Sequence, residues 1–253
     1  MTTTAHRNDI VSLVESWLEP ERFQDYCPNG LQVEGKEQVR RIITGVTASQ
    51  ALIDAAIAEQ ADMILVHHGY FWKGEDQRIQ GMKKRRLQAL LGHDISLLAY
   101  HLPLDAHPEL GNNRQLADVL GITNPAAVSS DRGLLWLGDL PSPMSPDAFS
   151  EHLSHRLERQ SLRVGKGKSE IRRVAWCTGA AQGFLGDAIA SGADAFISGE
   201  ISEPTFHTAQ ECGVHYYAAG HHATERYGVQ ALGQKIADVT GIEHRFIDID
   251  NPV

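Results

Sequence analysis

The chain has 253 residues, too many for a disulfide-stapled miniprotein and enough to bury a large core as one or two domains. Hydrophobic residues make up 42% and charged residues 22%, which excludes a disordered or fibrous chain. The 23 Lys and Arg against 32 Asp and Glu leave a net charge of -9, so no broad cationic field exists for a phosphate backbone and general nucleic-acid binding is disfavoured.

The N-terminal stretch from Met1 to Asp9 is polar, with no apolar core of a signal peptide. No apolar run approaches the roughly 20 residues of a membrane helix. Cys27, Cys177 and Cys212 are odd in number, far apart and without CxxC spacing, which argues against a disulfide framework and a thiolate zinc site. A protein of the reducing cytoplasm, with no membrane contact, is expected.

In chain order the pattern predicts a short strand at 42–46, a helix at 48–60, a buried strand at 63–66, a helix at 83–91, a strand at 95–100 and a helix at 110–120. A Pro- and Ser-containing stretch around 140–146 reads as a linker. The same order then returns: strand 174–177, helix 180–191, strand 195–198, helix 205–211, strand 215–219 and helix 229–240. Sliding 35–66 forward by about 132 positions lays it without gaps over 167–198. Gly35, Lys36, Arg40, Arg41, Gln50 and Asp62 fall on Gly167, Lys168, Arg172, Arg173, Gln182 and Asp194. Further on the spacing falls to about 120, so the first copy carries about a dozen extra residues near 70–81. The reading is α/β: two related halves from an internal duplication, 1–126 and 127–253, each with a mostly parallel sheet.

Function in such sheets gathers at the carboxyl ends of strands. Three ends stand out among the 13 histidines: His67-His68-Gly69, His101-Leu102-Pro103-Leu104-Asp105 and Gly220-His221-His222-Ala223-Thr224-Glu225. At the spacing of about 120, His101 falls on His221 and Asp105 on Glu225, so both halves keep a His followed four positions later by a carboxylate. One His at a strand end is commonly a hydrogen-bonded structural residue. Imidazole and carboxylate at equivalent ends of both halves instead form a donor set for Zn, Fe, Mn or Ni, with more ligands than one ion needs. Glu200 falls on His68, and its carboxylate can serve as an acceptor behind a ligand, as a general base or as a helix cap. His93, His107, His152, His155 and His244 have no such placement and read as solvated surface groups. Lys83-Lys84-Arg85-Arg86 reads as a solvated helix face, and Tyr70, Phe71 and Trp72 as a pocket wall or subunit contact. No dinucleotide loop, P-loop or GxSxG elbow occurs.

These motifs, with Ser198-Gly199-Glu200 and Asn29-Gly30-Leu31-Gln32-Val33, resemble the signatures of the Nif-three-like family, over essentially the whole chain and closest to its short bacterial form. The resemblance implies the Nif-three-like fold, a homohexameric ring and two divalent ions per subunit, Fe, Zn or Mn. It assigns His67, His68, Asp105, His221 and Glu225 as ligands, with Glu225 bridging, His68 and Asp105 completing one site, and His67 and His221 the other. It leaves His101 close behind them. Members are labelled homologues of the type 2 form of GTP cyclohydrolase I, so the implied activity is metal-dependent hydrolysis of a nucleotide-like small molecule, with Glu200 or His101 handling protons. The alternative is a non-catalytic metal-binding, regulatory or scaffold protein. DNA binding through the ring ranks last on the net charge.

Overall fold

The computed structural model describes residues 3–128 and 133–253. Its elements run β1 (Ala5–His6), α1 (Arg7–Leu18), β2 (Gly30–Val33), β3 (Gln38–Val39), β4 (Arg41–Thr47), α2 (Gln50–Ala58), β5 (Met63–His68), α3 (Gly81–Gly92), β6 (Ser96–Ala99), α4 (Leu102–Ala106), α5 (Asn112–Leu120) and β7 (Thr123–Ala127). They continue with β8 (Trp136–Met144), α6 (Pro146–Leu157), β9 (Leu162–Val164), β10 (Ile171–Trp176), α7 (Leu185–Ala190), β11 (Ala195–Ser198), α8 (Glu203–Cys212), β12 (His215–Ala218), α9 (His221–Thr224), α10 (Arg226–Thr240) and β13 (Glu243–Phe246). The chain forms two compact units, Met1–Leu104 with Gly228–Asp250, and Asp105–Tyr227 with Asn251–Val253. These units are cut by packing, whereas the halves 1–126 and 127–253 are cut by repeat. The difference is that β13 pairs in the first unit's sheet and β7 in the second's.

In the first unit the sheet order is β13-β4-β5-β6-β2, with β2 alone antiparallel. β5 opens on the unbroken run Met63-Ile64-Leu65-Val66, and β4 is buried from Ile42 to Val46, as expected of strands covered on both faces. Helices α2 and α3 supply Leu52, Ile53, Ala56, Leu87 and Leu90 to the core. In the second unit the order is β7-β8-β10-β11-β12-β9, parallel across β10-β11-β12 and antiparallel at β8, β7 and β9. Both sheets are therefore mixed: the first is parallel except for its β2 edge, and the second has a parallel centre flanked by antiparallel strands. The edge strands are short or carry little periodicity, so the sequence pattern does not show them.

Local chemistry moves several boundaries. Helix α2 begins at Gln50 because the Ser49 hydroxyl accepts from Leu52 N at 3.2 Å. The helix expected over 180–191 shrinks to a 3-10 turn at Gln182–Phe184 followed by α7, since Gly183 and Gly186 sit inside it. The expected linker at 140–146 is instead the end of β8 and the cap of α6, where the Ser145 hydroxyl accepts from Ala148 N. Pro141 and Pro143 are tolerated in a strand because the pairing with β10 shifts register between Ile171 and Arg173, opposite them. Three of the histidines expected in solvent are half-buried and bonded: His152 to Leu120 O, His244 to the Thr44 hydroxyl, and His107 to the N–H groups of Glu109 and Leu110. Burial lowers the pKa of His244.

One clasp recurs in each unit at the spacing of the repeat. The buried Asp62 carboxylate takes Lys36 Nζ at 3.1 Å and the N–H groups of Arg40 and Arg41 at 2.9 and 3.3 Å, tying the start of β4 to the start of β5. Asp194 takes Lys168 Nζ at 2.6 Å and the N–H groups of Arg172 and Arg173, both at 3.0 Å. Burial opposes both charges, but the donors overcome it and lower both carboxyl pKa values. A carboxyl lowered on folding stabilises fully above its ordinary value near 4 and loses that contribution as pH falls through the native value. Asp62→Ala and Asp194→Ala, each leaving two N–H donors unmatched, are each expected to cost about 3 kcal/mol at pH 7. Urea midpoints at pH 7 and pH 3 check this: each loss should shrink at the lower pH.

Candidate metal centre

In the first unit, β5 runs straight to its carboxyl end and delivers His67 inward and His68 to the other side, while β6 ends at Ala99, and Tyr100 and His101 lead into α4. The three rings cluster, with centroids 4.5 Å apart for His67 and His68, 5.0 Å for His67 and His101, and 5.7 Å for His68 and His101. One donor atom from each lies within 4.8 Å of the others. Each ring is held by its Nδ1. Buried His67 donates to Tyr100 O at 3.0 Å, His68 Nδ1 meets the Thr47 hydroxyl at 3.1 Å, and His101 donates to Asp25 Oδ1 at 2.7 Å. A nitrogen that donates is protonated, so in His67 and His101 the lone pair lies on Nε2, the atom a cation takes.

The Asn29-Gly30-Leu31-Gln32 motif acts here. Gln32 pairs with the backbone of Tyr70, accepting from its N at 2.7 Å and donating to its O at 3.1 Å. The carboxamide lies against Gly69, where a Cβ would stand 2.2 Å from Gln32 Oε1 and 2.5 Å from Ala99 Cβ. This close approach requires the glycine after the His-His pair. Of the three aromatic residues that follow, Tyr70 is buried with its hydroxyl on Ala48 O, Trp72 stands edge-on to His101 at 5.0 Å, and Phe71 is exposed.

Cys27 lies with Asp25 and His101 in a second group of donor atoms within 4.8 Å. Burial, aided by the Asp25 charge, pushes the thiol up to about 12, and both Asp25 oxygens are filled by hydrogen-bond donors.

In the second unit, α9 opens directly after Gly220 and places His221 one turn before Glu225. His221 Nδ1 donates to Glu200 Oε1 at 2.7 Å, and its Nε2 lies 3.1 Å from Glu225 Oε2. Burial works against a charged ring, but Glu225 and Glu200 outweigh it and push the imidazole up to about 9. Gly179, at φ +68°, brings backbone against this pair: a Cβ there would stand 2.1 Å from Glu225 Oε1 and 3.2 Å from His221 Nε2. The Gly179 carbonyl in turn accepts from Gly199 N, Glu200 N and the Ser198 hydroxyl. The neighbouring Thr178 hydroxyl donates to Asp105 Oδ1 at 3.2 Å, joined there by Asn112 Nδ2 at 2.9 Å. Asn113 bridges the Asp105 carbonyl and Thr178 N. Glu200 also lines a groove of about 450 Å³ with Arg159, Leu162 and Ile201.

Residues 5–252 match the family model described as Duf34/NIF3 (NGG1p interacting factor 3). The chain belongs to that family. A Pseudomonas aeruginosa relative named "GTP cyclohydrolase 1 type 2 homolog" is 57% identical over 245 residues, 96% of this chain and 97% of its own. A Yersinia pestis relative of the same name is 53% identical over 245 residues, covering 96% and 98%. Among solved structures, "Structural genomics, protein ybgI, unknown function" superposes with a TM-score of 0.95 at 50% identity, over 98% of this chain and all of its own. TTHA1606 from Thermus thermophilus gives 0.90 at 33% identity, also over 98% and all of its own. HcgD from Methanocaldococcus jannaschii, at 0.84 and 22%, shares the fold.

Both donor sets suit a borderline divalent ion: imidazoles with Nδ1 engaged, and carboxylates whose orientation is imposed by neighbours. Sequence reasoning missed the holding groups Asp25, Thr47, Asn112, Asn113 and Thr178, which lie up to 76 positions from what they hold. The one available signal was Asn112-Asn113, two polar residues on the buried side of a predicted helix. Gly179→Ala would push a methyl into Glu225, and Zn affinity measured by chelator competition is expected to fall about tenfold or more.

Proposed function

We propose that this protein is a dinuclear-metal hydrolase acting on a nucleotide-like small molecule, of the GTP cyclohydrolase type 2 kind that its relatives' name suggests. The observation carrying this reading is the histidine cluster of the first unit, in which every Nδ1 is committed to an oxygen and one donor atom of each ring converges within 4.8 Å of the others. His67, His68, Asp105, His221 and Glu225 are the proposed ligands of two Fe, Zn or Mn ions, Glu225 bridging, His68 and Asp105 completing one site and His67 and His221 the other. Such ions supply Lewis acidity, making water acidic near neutrality and offsetting the charge that develops on the attacked group.

The chain's own residues then have separate tasks. Tyr100, Thr47 and Glu200 orient three of the imidazoles through Nδ1. Thr178 and Asn112 fix the Asp105 carboxylate. His101 and Glu200 are the candidates for proton handling. His221 Nε2 lies 3.1 Å from Glu225 Oε2, and Glu225 and Glu200 together push the imidazole up to about 9. The two repeat halves, 1–126 and 127–253, are proposed to act in a homohexameric ring in the cytoplasm. Exposed Phe71, Ile79 and Met82 in the first-half insertion support a subunit contact there. No described helix is long and apolar enough to cross a membrane.

Protein purified without added metal is expected to contain about two divalent ions per chain by elemental analysis and to turn over GTP. Glu225→Ala should lose both metal and turnover. Full metal occupancy without hydrolysis across a nucleotide screen would favour the scaffold reading instead. Because His221 is protonated below about 9, ion binding at pH 7.5 should release its proton, weakening apparent affinity by about tenfold for each pH unit lowered. Calorimetry in buffers of different ionisation enthalpy measures that release.

A further inference from the structure

The glycine that opens the Gly220-His221-His222 motif has no part in the reading above, yet a cation rests on it. Helix α6 closes on Glu158 in the left-handed conformation, φ +53°, and Arg159 N donates to Ser154 O at 3.1 Å, so Arg159 leaves the helix at a tight turn. A Cβ on Gly220 would stand 2.5 Å from Arg159 Nε and 2.6 Å from its Cδ, so this side chain needs a glycine beneath it. Its Nη1 donates to the Pro252 carbonyl, while Nε is enclosed and has no acceptor. Among the described residues no carboxylate side chain pairs with it. A guanidinium is a planar fork matched to two oxygens of one anion, and here a single neutral carbonyl holds it.

Arg159 lines the groove of about 450 Å³ that Glu200 also borders, a volume suited to a small molecule. Strand β9 pairs antiparallel with β12, setting Leu162 opposite Ala218, and Leu162, 55% exposed, forms an apolar wall of the groove with Ile201. Glu200 spends Oε1 on His221 Nδ1, while its Oε2 accepts from nothing among the described residues. The segment at Pro252 and Val253 closes one side, pinned by the Pro252 carbonyl on Arg159 and by the Val253 carbonyl, which accepts from His222 N at 3.0 Å. One groove of the second unit thus offers an unmatched cation, an apolar surface and a spare acceptor.

We propose that this groove is a binding subsite for a phosphorylated small molecule, in which the Arg159 guanidinium takes the phosphate in place of the Pro252 carbonyl, Leu162 and Ile201 carry the body of the molecule, and Glu200 Oε2 accepts from an N–H or O–H on it. The subsite deepens the reading of a nucleotide-like substrate and rests on it for the identity of the ligand. Exchange favours the ligand because parallel N–H bonds to two phosphate oxygens are charge-assisted, whereas the bond to Pro252 is single and its acceptor neutral. The enclosed Nε gains its acceptor in the same exchange. Orientation follows from charge: a phosphate beside Glu200 would be repelled, so the anionic end lies at Arg159 and the donor edge at Glu200.

Titration calorimetry on the full-length protein as purified, comparing guanosine 5′-monophosphate with guanosine, tests the pairing of Arg159 with phosphate. The wild type should bind the monophosphate about tenfold or more tighter than the nucleoside. In Arg159→Gln that advantage should fall to about twofold or less, with the affinity for guanosine held within about twofold. Leu162→Asp keeps Arg159, changes an exposed side chain and sets a negative charge in the groove; it should weaken the monophosphate about fivefold or more and serves if the first variant folds poorly. Equal losses for both ligands in Arg159→Gln, equal affinities in the wild type, binding of neither, or a monophosphate affinity unchanged in Leu162→Asp overturns the proposal. GTP turnover is read separately. Turnover without the Arg159 effect removes the subsite and leaves the hydrolase reading, whereas the Arg159 effect without turnover removes the hydrolase reading and leaves the subsite.

Discussion

Four imidazoles at the carboxyl ends of parallel strands are each held at Nδ1 by an oxygen: His67 by a carbonyl, His68 by a hydroxyl, His101 and His221 by carboxylates. Where that oxygen can only accept, the proton on Nδ1 is fixed and a neutral ring carries its lone pair on the far nitrogen. Ring orientation, ligand capacity and basicity all follow from this one bond. The rest of the architecture places the four oxygens.

Parallel strands make that placement possible because they deliver their carboxyl ends to one edge of the sheet. The buried aspartate clasps at the opposite ends fix the start of each central strand, at Asp62 in one unit and Asp194 in the other. Register follows: Ile42 pairs with Met63 and Val174 with Ala195, positions related by the same spacing as the repeat. A one-residue slip would turn His67 out of the interior and bring His68 in. Stability at one end of the sheet and chemistry at the other are thus joined by strand geometry.

The two His-x3-carboxylate motifs share a spacing but not their surroundings. His221 is gripped by Glu200, which occupies the repeat position of His68, and faces Glu225 one turn on. His101 is gripped by Asp25, from a segment before the repeat begins, and stands among aromatic rings. The same four-residue spacing therefore carries two imidazoles held by different carboxylates in different surroundings.

The local patterns identified the central strands, the His-His-Gly turn, both His-x3-carboxylate motifs and the recurrence at about 132 positions, because apolar periodicity and strand-end chemistry are short-range features of the chain. They did not reveal the partners. Asp25, Thr47, Asn112 and Thr178 are ordinary polar residues until folding sets them beside His101, His68 and Asp105. The same holds for the 140–146 stretch, whose prolines read as a linker until a register shift admits them to β8. Residue type and spacing determined which groups can bind a metal. Only the tertiary structure decided which atom of each group is presented, because a hydrogen bond across 76 positions has no signature in either residue alone.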